Sequence, residues 1–73
     1  MSTITIQAEF AAIVLKVMVK PGAEVAADEE MLILESMKTE IPVTAPAAGR
    51  VSSVSVADGD AVDERQPLVV LET

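Results

Sequence analysis

The segment Glu35-Ser36-Met37-Lys38-Thr39-Glu40 places one primary amine between two carboxylates. A lysine amine is a nucleophile toward activated carbonyl carbon when a base removes its proton. Its two neighbouring carboxylates are too weakly basic to deprotonate an ammonium, and the chain has no histidine and no cysteine. Lys38 is therefore suited to react inside another enzyme's site rather than to catalyse by itself. The same absences exclude disulfides and thiolate or imidazole metal centres. Ser52, Ser53 and Ser55 lack a histidine partner and read as outward strand positions. Glu29-Glu30 and the pair Asp58/Asp60 read as solvated turn residues. No acid–base constellation for a stand-alone enzyme emerges.

The elements that must position Lys38 are two strands. Met31-Leu32-Ile33-Leu34-Glu35 and Glu40-Ile41-Pro42-Val43-Thr44 are apolar, β-rich runs, and Ser36-Met37-Lys38-Thr39 joins them. The join lacks the Asn-Gly or Asp-Gly tip that two-residue hairpins favour. Met37 and Lys38 take the two central turn positions, and neither residue type favours positive φ. The expectation is a locally costly turn, a feature that functional sites retain.

The remaining chain supplies the scaffold. Val14, Val17, Val19, Gly22, Val25, Leu34 and Glu35 recur as Val51, Val54, Val56, Gly59, Val62, Leu71 and Glu72, each 37 positions later and without a gap. Half-repeats spanning about 11–36 and 48–73 imply two like β-units packed about a pseudo-twofold axis, since neither half buries its apolar face alone. Within each half the valine spacing is three and then two, where strict alternation keeps a spacing of two. One extra residue near Leu15-Lys16, and one near Ser52-Ser53, restores the inward face and predicts a β-bulge at each. Pro21-Gly22 and Asp58-Gly59 are turns, and Ala45-Pro46-Ala47-Ala48-Gly49 breaks the halves. Strands are expected at 4–8, 13–19, 31–35, 40–44, 50–56 and 68–72, with short pieces around Val25 and Val62. Residues 25–32 also fit a helical turn, but their repeat mate contains Arg65-Gln66-Pro67, which argues for a turn instead. Pro67 opens a strand, where its missing N–H does least harm.

Composition agrees. The 73 residues make one domain, 1–73, and 51% are apolar, with Phe10 the one aromatic. A core of Val, Ile, Leu, Ala and Met favours pleated sheet. The net charge of −7 and the five scattered basic residues exclude a nucleic-acid footprint and an anionic membrane partner. Residues 1–6 carry no basic n-region and no apolar core of a signal peptide, so a cytoplasmic setting is expected. A small acidic domain is expected to be monomeric.

The run Glu35-Ser36-Met37-Lys38-Thr39-Glu40-Ile41-Pro42-Val43-Thr44-Ala45-Pro46, set between the two half-repeats, resembles the biotinyl/lipoyl attachment family, most closely its biotin carboxyl carrier branch. The resemblance extends from about Ile4 to Glu72. It implies an all-β flattened barrel or sandwich of two four-stranded antiparallel sheets with Lys38 at an exposed hairpin tip. It further implies covalent biotin on Lys38, recognition of Met37 by a biotin protein ligase, and service to a biotin carboxylase and a carboxyltransferase. Glu35, Ser36, Thr39 and Glu40 flank that site. The lipoyl branch places an acidic residue before the lysine, so Met37 points to biotin. A lipoyl carrier and an unmodified interaction module of the same fold are the alternatives. Three departures from the family pattern stand out. Thr39 replaces a second methionine, Ala12 replaces a glycine, and Asp28 and Arg65 stand where glycine is common. Arg adopts left-handed φ poorly, so the turn at Arg65 is expected to differ from the family form.

Overall fold

The computed structural model describes residues 2–73. Eight strands form: β1 Thr3–Gln7, β2 Ala12–Val17, β3 Glu24–Val25, β4 Glu30–Ser36, β5 Thr39–Thr44, β6 Gly49–Val54, β7 Ala61–Val62 and β8 Pro67–Glu72. They make two four-stranded antiparallel sheets, ordered β1-β8-β6-β3 and β5-β4-β2-β7. The chain is all-β, and residues 25–32 form β3, a turn and the start of β4 rather than a helix.

The 37-residue offset governs the backbone as well as the side chains. It maps β2, β3 and β4 onto β6, β7 and β8, and it also maps β1 onto β5. Hydrogen bonds come in crossed pairs. The Gly22 N–H donates to the Val51 carbonyl at 2.8 Å, and the Gly59 N–H donates to the Val14 carbonyl at 2.7 Å. The Met18 N–H donates to Met31 and the Ser55 N–H to Leu68, each at 2.9 Å. In the Gly22 and Gly59 pairs the donor lies in one half and the acceptor in the other. The halves are interlocked, so removing one leaves the other with orphaned backbone groups.

Both expected bulges are present. Register shifts between Val14 and Lys16 opposite β4, and between Val51 and Ser53 opposite β8. Leu15 and Ser52 are the extra residues, and Val14 and Val51 remain buried. A second pair of bulges carries no valine signal. Register shifts between Glu30 and Leu32 opposite β5 and between Ile6 and Gln7 opposite β8. These leave Met31 and Leu68 as extra residues, and each is buried beside its buried neighbour, Leu32 or Val69. Strict alternation forbids two successive inward side chains, and a bulge permits them.

Two expectations need correction. β2 ends at Val17 and β6 at Val54, two residues short of Val19 and Val56. Beyond those points the chain leaves the bulged ladder and turns through Gly22 and Gly59, whose φ values of 93° and 90° suit glycine. The turn at Arg65 does not differ from its mate. Asp28 and Arg65 both take φ 69°. The Asp28 N–H donates to Ala45 at 2.8 Å and the Arg65 N–H to Ala8 at 2.7 Å. Glu29 and Gln66 side chains accept from the Ala26 and Asp63 N–H groups at 3.0 Å in both turns. Shared tertiary bonds hold Arg65 in a conformation that its own side chain disfavours.

The core is aliphatic. Met31, Leu32, Leu68, Val69 and Leu71 are fully buried, with Val14, Leu34 and Val51 nearly so. Among the described residues no polar or charged one is buried. Leu32 and Leu34 belong to β4, which lies between β2 and β5, so the strand entering the Lys38 turn is the best-anchored strand of its sheet.

Candidate functional site

β4 and β5 pair through Ser36↔Thr39, which leaves Met37 and Lys38 as a two-residue loop. Their φ values are 52° and 65°, so both sit in the left-handed region, as a type I′ hairpin requires. An L-residue there costs roughly 1–2 kcal/mol. The cost is sustained because the strands below are fixed by buried Leu32 and Leu34, which leaves the turn no freedom to relax. The molecule measures 36 × 18 × 17 Å, and the pseudo-twofold relates this turn to the place where the chain ends meet through Ser2 and Thr73.

The six residues singled out from sequence are brought together here. Met37, Lys38, Thr39 and Glu40 are exposed, and Glu35 and Ser36 are half-buried. Met37 is 95% exposed, the most open large apolar side chain among the described residues. Lys38 stands beside it with an open approach. Leu34 is buried and its cross-strand partner Ile41 shares that inner face, so Glu35 and Glu40, direct cross-strand partners, lie on the outer one. Like charges placed opposite one another destabilise a sheet. The site therefore consists of one free amine, one exposed thioether and two facing carboxylates on a rigid hairpin. It can present Lys38 to an external active site, and it holds no group placed to activate the amine by itself.

The other chemical candidates resolve into structure. Asp58 Oδ1 accepts from the Val17 N–H at 2.8 Å, and Asp60 Oδ2 accepts from the Ala57 N–H at 2.9 Å. Glu29 accepts from Ala26 in the same manner. Asp60 and Glu29 cap their own turns, and Asp58 ties the turn after β6 to the end of β2. Ser52, Ser53 and Ser55 are exposed. Among the described residues no cluster of three or more His, Cys, Asp or Glu is placed to hold a metal. A cleft of about 360 Å³ separates edge strands β1 and β5, walled by Ile4, Ile6, Phe10, Ile41, Val43 and Pro46. Thr5, Thr44 and Glu9 also line it, with no histidine, cysteine or lysine in the lining to activate a hydroxyl. Sequence reasoning missed this cleft, because edge-strand separation follows from sheet packing. It also missed the Glu35–Glu40 opposition, although the register of a two-residue turn would have revealed it.

A family model described as "Biotin-requiring enzyme" matches residues 4–71. The biotinylated protein TB7.3 homolog of Mycobacterium leprae is 42% identical over 66 residues, covering 90% of this chain and 93% of that one. Among solved structures, a single-chain, multi-domain long-chain acyl-CoA carboxylase superposes with a TM-score of 0.89 at 32% identity. That match covers 94% of this chain and 7% of the carboxylase. The lipoyl domain of the 2-oxoglutarate dehydrogenase complex from Azotobacter vinelandii superposes with a TM-score of 0.84 at 29% identity, covering 96% of each chain.

Proposed function

Because the chain belongs to the biotin/lipoyl attachment family, we propose that it is a biotin carboxyl carrier, with Lys38 as the attachment residue. The observation that carries the reading is the turn itself. Lys38 and the 95% exposed Met37 alone form a strained two-residue tip on a rigid hairpin. An exposed thioether, rather than a carboxylate, precedes the lysine, which favours a biotin ligase over a lipoate-attaching enzyme. Likeness to a biotinylated relative and to a domain within a carboxylase supports the same choice.

The residues present fit the group. Lys38 offers an unobstructed primary amine, the donor that an amide link to a carboxylic acid needs. In a ligase site the neutral Nζ of Lys38 would be the nucleophile toward an activated carboxyl group. An amide C–N bond would replace the bond to the activating group, which would leave, and the lysine proton would pass to the ligase. When bound, the cofactor supplies a ureido nitrogen that takes up and releases a carboxyl group. The chain's own part is positional. Its rigid sheets and single exposed tip keep the arm at high effective concentration at the two sites it serves, a biotin carboxylase and a carboxyltransferase. One domain, a monomeric state and a cytoplasmic setting belong to the same reading.

The test is labelling by a purified biotin protein ligase, read by intact mass and by streptavidin blot. Wild type should gain one biotinyl group and Lys38→Arg none. Unlabelled wild type beside a labelled control carrier refutes the proposal. A lipoyl increment on protein purified from its own host moves the reading to the lipoyl branch.

A further inference from the structure

The two halves share a backbone but not a surface. On the outer face of the sheet that carries Lys38, Ile13, Leu15 and Met18 are 44%, 38% and 39% exposed. Their mates at the 37-residue offset on the other sheet are Arg50, Ser52 and Ser55, all exposed and polar. The fold is indifferent to this difference, because both sheets carry the same ladder, bulge and core. Scattered single apolar residues need no explanation, but these three cluster on β2 and the segment just after it.

Register connects them to the site. Ile13 is the cross-strand partner of Glu35, and Glu35 is the partner of Glu40. One row thus runs Ile13–Glu35–Glu40 across β2, β4 and β5, and the next pair, Ser36↔Thr39, closes the Lys38 turn. No cation faces the carboxylates within this row, and the basic residue of β2, exposed Lys16, pairs instead with Ile33. A second copy of the chain is a poor occupant, because each copy carries a net charge of −7. A basic-rimmed apolar surface is a good one.

We propose that this outer face, Ile13, Leu15 and Met18 with Glu35 and Glu40, is the docking surface for the ligase that modifies Lys38. The ligase would present an apolar patch bordered by lysine or arginine. The inference rests on the carrier reading and names the partner surface for that site. Geometry favours the ligase over enzymes that act later. Before modification only a four-carbon stem separates the amine from the backbone. The ligase must therefore approach the turn closely and rest on the adjoining strands. After modification the longer arm lets other enzymes stand further off.

The experiment measures steady-state biotinylation by a purified biotin protein ligase, with apo wild type, Ile13→Ser/Leu15→Ser and Arg50→Ser as substrates. The double variant should show an approximately tenfold higher KM with kcat nearly unchanged, the scale of losing anchoring contacts at an interface. Arg50→Ser, on the other sheet, should match wild type. Raising salt should raise the wild-type KM, and Glu35→Gln/Glu40→Gln should flatten that dependence. Should Ile13→Ser/Leu15→Ser melt below the assay temperature, Leu15→Lys, which puts a cation on the exposed bulge, should raise KM similarly. An unchanged KM in the folded variants, with wild type labelled normally, overturns the docking face and leaves the carrier reading intact. Failure to label wild type at all overturns the carrier reading and this surface together.

Discussion

Replacing Met37 by glycine separates the backbone demand of the turn from its chemistry. Met37 holds φ 52° and is 95% exposed, so its side chain contributes almost no packing. Relief of a left-handed L-residue is worth roughly 1–2 kcal/mol. Glycine loses more chain entropy on folding, a debit of roughly 0.5–1 kcal/mol. The net expectation is stabilisation of about 0.5–1 kcal/mol. For a domain of this length that raises Tm by about 2–8 °C. The substitution removes no charge and leaves Lys38 in place. If Met37 is read by the ligase, Met37→Gly becomes more stable and a worse substrate at once, the opposition expected where strain is kept for function. Calorimetry of apo protein measures the first effect, and the ligase assay measures the second. Arg65→Gly is the control. It relieves φ 69° at an exposed position away from the hairpin, and should raise Tm by a similar amount with no change in labelling. A two-state Tm for Met37→Gly equal to or below that of wild type would refute the strain argument.

Three further outcomes follow from particular contacts. A Cβ on Gly49 would lie 2.5 Å from the Glu72 carbonyl oxygen, a backbone atom that cannot rotate away. Gly49→Ala should therefore cost about 2 kcal/mol and lower Tm by about 10 °C, and a loss below 2 °C would show that β6 and β8 separate easily. Asp58→Ala deprives the Val17 N–H of its 2.8 Å acceptor at the end of β2. Water compensates in part, so a loss of about 1 kcal/mol in urea unfolding is expected, and no change would show that the cap is idle. Thr39→Met restores apolar surface at the first residue of β5, next to Lys38. It should raise kcat/KM for biotinylation, and an unchanged value in ligase and carboxylase assays would remove Thr39 from recognition.

Much of this architecture was legible because it is local or repeated. The three-then-two valine spacing marked the bulges at Leu15 and Ser52, since only an added residue keeps Val14 and Val17 on one side. Pro21-Gly22 and Asp58-Gly59 marked turns that the structure places at left-handed glycines. The bulges at Met31 and Leu68 escaped notice because a continuous apolar run reads the same with or without an extra residue. The ends of β2 and β6 were overextended for a similar reason. Val19 and Val56 look like strand residues, but they pack on the core from the turn. The turn at Arg65 was misjudged because intrinsic φ preference was weighed without the bond from its N–H to Ala8, a contact 57 residues distant.

By itself the sequence determined the all-β class, the twofold plan and the hairpin, while the resemblance of residues 35–46 to the attachment family singled out Lys38 and its five flanking residues. Class, plan and hairpin follow from periodicity, turn chemistry and spacing, which act over a few residues or repeat along the chain. Only the tertiary structure decided which residues the bulges at Met31 and Leu68 add and how Arg65 keeps φ 69°. It alone placed Ile13, Leu15 and Met18 on the lysine-bearing face while their mates are polar. Those facts depend on register and on which sheet each strand joins, and both are set by burying the two halves against each other rather than by any segment alone.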